Sequence, residues 1–159
     1  MSAPLSSWYS LHDLQSLGAR RAELGGRLEV RDMERLRGLL ASDDGAVEAK
    51  LAFRRDGEGW LTVRLEIGGD LRLTCQRCLE PFTHAVDEDV ELALLESPAL
   101  ESRLPEGYEP IVLEGNRLQP AQLIEDELIV SLPLAPKHAR AADCGTLGRG
   151  LESEAAPGH

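Results

Sequence analysis

The chain has 159 residues, about one domain, and 42% hydrophobic residues, enough for a core that needs no covalent staple. Aromatics are only 4%, so the core must be aliphatic and no broad aromatic platform for single-stranded nucleic acid is available. The net charge of −11 argues against a simple phosphate-tracking protein, which would be basic.

The charge is unevenly spread. Twelve of the seventeen Lys and Arg lie at or before Arg77, and none falls between Leu79 and Ser102, where Glu80, Asp87, Glu88, Asp89, Glu91, Glu96 and Glu101 accumulate. An acidic middle would attract basic partners, or serve solubility alone. The start lacks a secretory apolar stretch, no run reaches membrane-span length, and three cysteines make no disulfide framework. The expectation is a cytoplasmic protein with reduced thiols.

In chain order, Leu11, Leu14 and Leu17 give a short helix or strand over Leu11–Ala19, with Ser10 or Asp13 as its cap. Ala22–Val30 reads as a strand bent or bulged at Gly25-Gly26. Asp32–Leu40 is expected to be helical, with Met33, Leu36, Leu39 and Leu40 on one face. Val47, Ala49, Leu51 and Phe53 alternate with polar neighbours and predict a strand, which Asp56-Gly57 turns into a hairpin. Trp60–Ile67 predicts the next strand, Gly68-Gly69-Asp70 a turn, and Leu71–Cys75 a third strand, which makes an antiparallel meander. A knuckle at Cys75–Pro81 leads to a fourth strand, Phe82–Leu95. The stretch from Ser97 to Pro110 is a proline-containing loop, and Ile111–Leu113 a short strand. Pro120 opens a helix over Ala121–Leu132 with Leu123, Ile124, Leu128 and Leu132 at helical spacing, and Pro133 stops it. The fold class is therefore α+β: an antiparallel meander, a short N-terminal helix, and a C-terminal helix packed on the sheet. Residues 1–147 form one domain, and 148–159 a disordered tail rich in Ala, Gly and charge.

The compact chemical motif is Cys75-Gln76-Arg77-Cys78. Two thiols two residues apart suit a tetrahedral metal, and His138 with Cys144 offers a second half; His84 is an alternative nitrogen. Two other readings stay open: buried small apolar groups ending a strand, or a redox pair, though no helix is expected behind the first cysteine. Glu125-Asp126-Glu127 is a carboxylate cluster whose plain reading is a solvated helix face, with acid–base work as the alternative. Arg20, Arg21, Arg27, Arg31, Arg35 and Arg37 form either an RNA-facing patch or a salt-bridged surface. No phosphate-binding loop or nucleophile motif is present.

Three blocks in register resemble the YceD family, the large-ribosomal-RNA-subunit accumulation proteins. They are Leu73-Thr-Cys-Gln-Arg-Cys-Leu-Glu-Pro-Phe, Pro105-Glu-Gly-Tyr-Glu-Pro, and Gln122-Leu-Ile-Glu-Asp-Glu-Leu-Ile-Val-Ser-Leu-Pro-Leu-Ala-Pro. The resemblance spans about Ala46 to Cys144. It implies a cytoplasmic bacterial factor, not an enzyme, needed for accumulation of large-subunit (23S) ribosomal RNA. Its partners would be precursor RNA or ribosomal proteins, with no membrane and no small-molecule substrate. It also points to zinc held by Cys75, Cys78, His138 and Cys144, although this chain has one histidine and one cysteine where some relatives have several cysteines. Arg77, Glu80 and Tyr108 are the binding residues it suggests, Arg77 on an exposed knuckle. The alternative is a small zinc-binding or thiol regulatory protein.

Overall fold

Period-two burial organises the centre of the molecule. The computed structural model describes residues 3–138; the expected 148–159 tail and Cys144 lie outside the described residues. The elements are α1 (Ala3–Ser6), β1 (Tyr9–Ser10), α2 (Leu11–Ala19), β2 (Glu23–Glu29), α3 (Glu34–Arg37), β3 (Ala46–Arg55), β4 (Leu61–Thr74), β5 (Pro81–Leu95), β6 (Glu109–Val112), β7 (Arg117–Leu118) and α4 (Pro120–Ser131). Strands β2-β3-β4-β5-β6 form one sheet in that order, antiparallel except for β5 and β6, which run parallel. The α+β class, the N-terminal helix and the C-terminal helix are as expected.

The core face carries Val47, Leu51 and Phe53 of β3, Val63, Leu65, Ile67 and Leu71 of β4, and Leu92 and Leu94 of β5. Leu14 and Leu17 of α2 and Leu123, Ile124 and Leu128 of α4 close over it. Each buried leucine contributes on the order of 1.5–3 kcal/mol, so these layers supply the main driving force. The outer face is charged: Glu48, Lys50, Glu66, Asp87 and Asp89 line it, with Arg64 paired to Asp89.

Helix α2 starts at a reciprocal capping box. Ser10 Oγ accepts from the Asp13 N–H at 3.1 Å, and the Asp13 carboxylate accepts from the Ser10 N–H at 3.0 Å. Both candidate caps act together. The short β1–β7 pair clasps the N-terminal segment to the approach to α4, with Arg117 stacked 4.2 Å from the centroid of the Trp8 ring.

Three expectations are corrected. Gly25-Gly26 makes no bulge: the two residues stay in register opposite Lys50 and Ala49. The helix expected over Asp32–Leu40 is a 3₁₀ turn at Val30–Asp32 and a single α-turn at Glu34–Arg37. Gly38 weakens its continuation, and the Ala41 N–H is drawn to the Arg72 carbonyl on β4 at 2.8 Å, so Leu39 is left exposed. The turn at Gly68-Gly69-Asp70 does not exist. β4 runs straight through it, with Gly69 paired to Val47 on one side and Val86 on the other. Gly69 has φ +153, and a Cβ there would stand 2.6 Å from the Ala46 carbonyl oxygen. The glycine permits close backbone approach, not reversal.

Because β4 is continuous, the knuckle is the connection between the two longest strands. Thr74 pairs with Pro81, and Cys75–Glu80 form the hairpin loop between them. Pro98–Arg103 form a 3₁₀ turn inside the expected loop.

Candidate metal centre

At the end of the β4–β5 hairpin the chain folds back on itself. The Cys75 N–H donates to the Glu80 carbonyl at 2.9 Å, and the Leu79 N–H to the Cys75 carbonyl at 2.8 Å. Leu79 takes a left-handed conformation, φ +64, within this tight loop. The segment leaving α4 then straps across this loop. Pro133 prevents the helix from continuing, and the Gln76 N–H donates to the Pro136 carbonyl at 2.7 Å. The Arg77 guanidinium donates to the His138 carbonyl at 2.6 Å. His138 arrives with its ring 5.0 Å from that of Phe82.

The result is a cluster of Cys75, Cys78 and His138, whose donor atoms all lie within 4.8 Å of one another. Cys78 Sγ stands 3.6 Å from His138 Nδ1. A zinc ion bound at ordinary lengths by one thiolate and one imidazole holds those atoms about 3.6 Å apart at the tetrahedral angle. The two cysteines are buried with Phe82 in a small cluster separate from the main core. Burial alone pushes the Cys75 thiol up. The backbone N–H groups of Cys78 and His138, the His138 side chain and the Arg77 N–H outweigh it and bring the thiol down to about 5. The His138 N–H lies 3.4 Å from Cys75 Sγ. Backbone donors converging on sulfur favour a thiolate, which is the form that ligates metal. These residues fit a structural zinc as three of its four ligands.

The sequence-suggested residues divide. Cys75, Cys78 and His138 come together; Cys144 lies outside the described residues. His84 sits opposite Leu71 within β5 and is not in the group. Arg77 is not displayed outward: it is half-buried, bonded to the strap, and its Nε is buried without a hydrogen-bond partner among the described residues. Glu80 is exposed, and its carbonyl accepts from the Cys75 N–H. Tyr108 is far away, at the opposite end of β4, where its hydroxyl donates to the Asp56 carboxylate at 3.0 Å in the β3–β4 turn.

The other charged candidates are tertiary fasteners. Glu125 is not on a solvated face: its carboxylate accepts from the Arg35 and Leu36 N–H groups at 2.9 and 3.1 Å and from the Arg35 guanidinium at 3.1 Å. It caps the one-turn α3 from another helix, a relation that no local pattern reveals. Asp126 pairs with Arg35 at 2.6 Å. Within the arginine series, Arg27 pairs with Glu29 and Glu48, and Arg37 donates to the Arg31 carbonyl.

Fold and site thus define a small α+β sheet protein whose longest hairpin and C-terminal strap meet at a thiol–imidazole cluster. The family model described as large ribosomal RNA subunit accumulation protein YceD matches residues 63–156, from β4 through the knuckle, α4 and the strap. The chain belongs to the YceD family. It is 29% identical over 121 residues, 76% of this chain and 70% of the relative, to the large ribosomal RNA subunit accumulation protein YceD of Haemophilus influenzae. No solved structure matches. No helix among the described residues is long and apolar enough to cross a membrane.

Proposed function

We propose that this chain is a non-enzymatic, cytoplasmic ribosome-biogenesis factor needed for accumulation of large-subunit (23S) ribosomal RNA. It acts by binding precursor RNA or a ribosomal protein that joins it. The observation that carries this reading is the family match over the knuckle, α4 and strap, together with the relative's name as an accumulation protein. The engagement of Glu125 and Asp126 in holding α3 supports a structural role for the acids. The test is sedimentation of a lysate containing the tag-free chain at moderate salt. Comigration with large-subunit precursor particles is expected, together with reduced 23S RNA when the chain is depleted. Free sedimentation with unchanged 23S RNA would refute the reading.

The knuckle holds zinc in this proposal, with Cys75, Cys78 and His138 as ligands. Cys144, six positions beyond His138 in sequence, is the candidate fourth. Zinc would supply no chemistry; it would fasten the strap to the hairpin and so fix the end of the sheet. Thiol titration with and without a chelator tests this. Bound metal masks the thiols until it is removed, whereas immediate full reactivity would exclude it. The thiol-regulator alternative predicts reactivity that follows oxidant exposure instead.

A further inference from the structure

The sheet is not closed on the β5 side. β6 pairs with β5 only from Leu92 to Leu95. From Pro81 to Glu91 the outer edge of β5 has no backbone partner among the described residues. That is a free edge of about 35 Å at roughly 3.3 Å per residue, room for a partner strand of about ten residues. A free edge exposes a row of N–H and C=O groups and pairs with whatever strand its side chains tolerate.

The charged side chains of the free segment itself are all acidic. Asp87, Asp89 and Glu91 alternate along its outer face, and Glu88 stands on the other. Arg64 engages Asp89 and Arg54 engages Glu91, while among the described residues Asp87 and Glu88 are in no ion pair. Where the free edge meets the start of β6, Glu109 and the α4 residue Glu127 approach Glu88. Burial, then repulsion from Glu109, Glu88 and Asp126, pushes the Glu127 carboxyl up to about 7. Among the described residues Asp87, Glu88, Glu109 and Glu127 are in no ion pair, whereas Asp126 is held by Arg35. A second copy of this edge would bring like charges face to face, and a phosphate backbone would meet the same repulsion.

We propose that the free edge of β5 receives an extended Lys- and Arg-rich segment of a partner protein as a sixth strand. The inference rests on the assembly-factor reading above and names the chemistry of its partner. Backbone hydrogen bonds would supply the pairing, and basic side chains at alternate positions would meet Asp87 and Asp89 on one face or Glu88, Glu109 and Glu127 on the other, according to register. This mode needs both an opposite charge and unblocked amides, which separates it from adhesion by charge alone.

The test uses the full chain and a fluorescent ten-residue Lys/Val alternating peptide, read by anisotropy at 100 mM salt. Two further peptides carry the same sequence N-methylated at every second amide, one in each phase. The expected result is saturable binding, at least tenfold weaker when the edge-facing amides are methylated, and at least tenfold weaker to Asp87→Lys/Glu88→Lys. Equal binding of both methylated peptides would overturn strand addition, because charge alone would then suffice. Equal binding to the double variant would overturn this edge as the site, and tighter binding of a single-stranded RNA of equal length would overturn a protein partner. Should the double variant fail to fold by circular dichroism, Asp87→Asn and the methylated peptides on the parent chain carry the decision. If the peptides fail while the chain still comigrates with large-subunit precursors, only the edge proposal falls. Edge pairing without comigration removes the ribosomal reading instead.

Discussion

Gly69→Ala tests the continuity of β4, on which the position of the knuckle depends. The new methyl would stand 2.6 Å from the Ala46 carbonyl oxygen, 3.0 Å from Val47 Cα and 3.1 Å from Val47 Cγ1. Two of those three atoms are backbone, so no side-chain rotation relieves the contact, and β3 must move away from β4. Displacing a packed core element costs about 1–3 kcal/mol. The φ of +153 adds a conformational cost of about 1–3 kcal/mol for a residue with a Cβ. Part of the strand shift relieves both, so the expected loss is about 2–4 kcal/mol, a large share of a typical domain's 5–15 kcal/mol. Urea unfolding should show a midpoint lower by roughly 1–2 M with little change in slope. Gly57→Ala is the control, since nothing lies within 4 Å of a Cβ at that position. If Gly69→Ala were as mild as Gly57→Ala, within about 0.5 kcal/mol, the close approach of β3 and β4 at Gly69 would be wrong.

Three further outcomes are expected. Elemental analysis of tag-free chain should give about one zinc per chain, lost in Cys75→Ser; metal retained in that variant would place it elsewhere. Glu125→Ala should cost about 1–3 kcal/mol in chemical denaturation, because it removes the carboxylate that caps α3 and leaves the Arg35 and Leu36 N–H groups short of an acceptor; a change under about 0.5 kcal/mol would show that water replaces it. Glu127 gives a pH signature. Its folded carboxyl is raised to about 7 from an ordinary 4.5, so the folded state holds the proton more tightly than the unfolded chain. That contribution is fully present below about pH 4.5 and is lost as pH rises through 7. Glu127→Gln should therefore be about 1–2 kcal/mol more stable than the parent near pH 8, after allowance for solvent screening, with the gap closing toward pH 4.5; a pH-independent difference would contradict the crowding of Glu88, Glu109 and Glu127.

Much of the sheet was legible because one physical rule, alternation with one buried face, fixes strands locally. Its clearest misreading is instructive. Leu61, Val63, Leu65 and Ile67 lie on odd positions, and so do Leu71 and Leu73, so the phase is unbroken across Gly68-Gly69. Phase carried the correct information, and the turn chemistry of the glycines overrode it. The helix over Asp32–Leu40 failed for the opposite reason: its periodicity was real, with Met33 and Leu36 buried, but Gly38 and the bond from Ala41 to β4 stop it after one turn. The site was half legible. Two cysteines two apart announce themselves; that His138 and not His84 completes the group depends on where Pro133 and Pro136 steer the strap, a tertiary outcome. The inward turn of Arg77 and the capping of α3 by Glu125 join residues some sixty and ninety positions apart, beyond any local pattern.

The knuckle and the free edge are one piece of chain. β5 begins at Pro81, directly after the hairpin loop that holds Cys75 and Cys78, and Phe82 packs against both the cysteines and the His138 ring. Whatever fixes that ring fixes the first residues of the unpaired edge. A zinc at the knuckle would therefore order the start of β5 without touching a partner, and its loss would loosen the edge from Pro81 inward. Hydrogen exchange resolves this coupling. On chelation, amides from Phe82 to Val86 should lose protection before those from Leu92 to Leu95, which β6 and the core hold independently. Uniform loss along β5 would mean that metal and edge are coupled only through global stability.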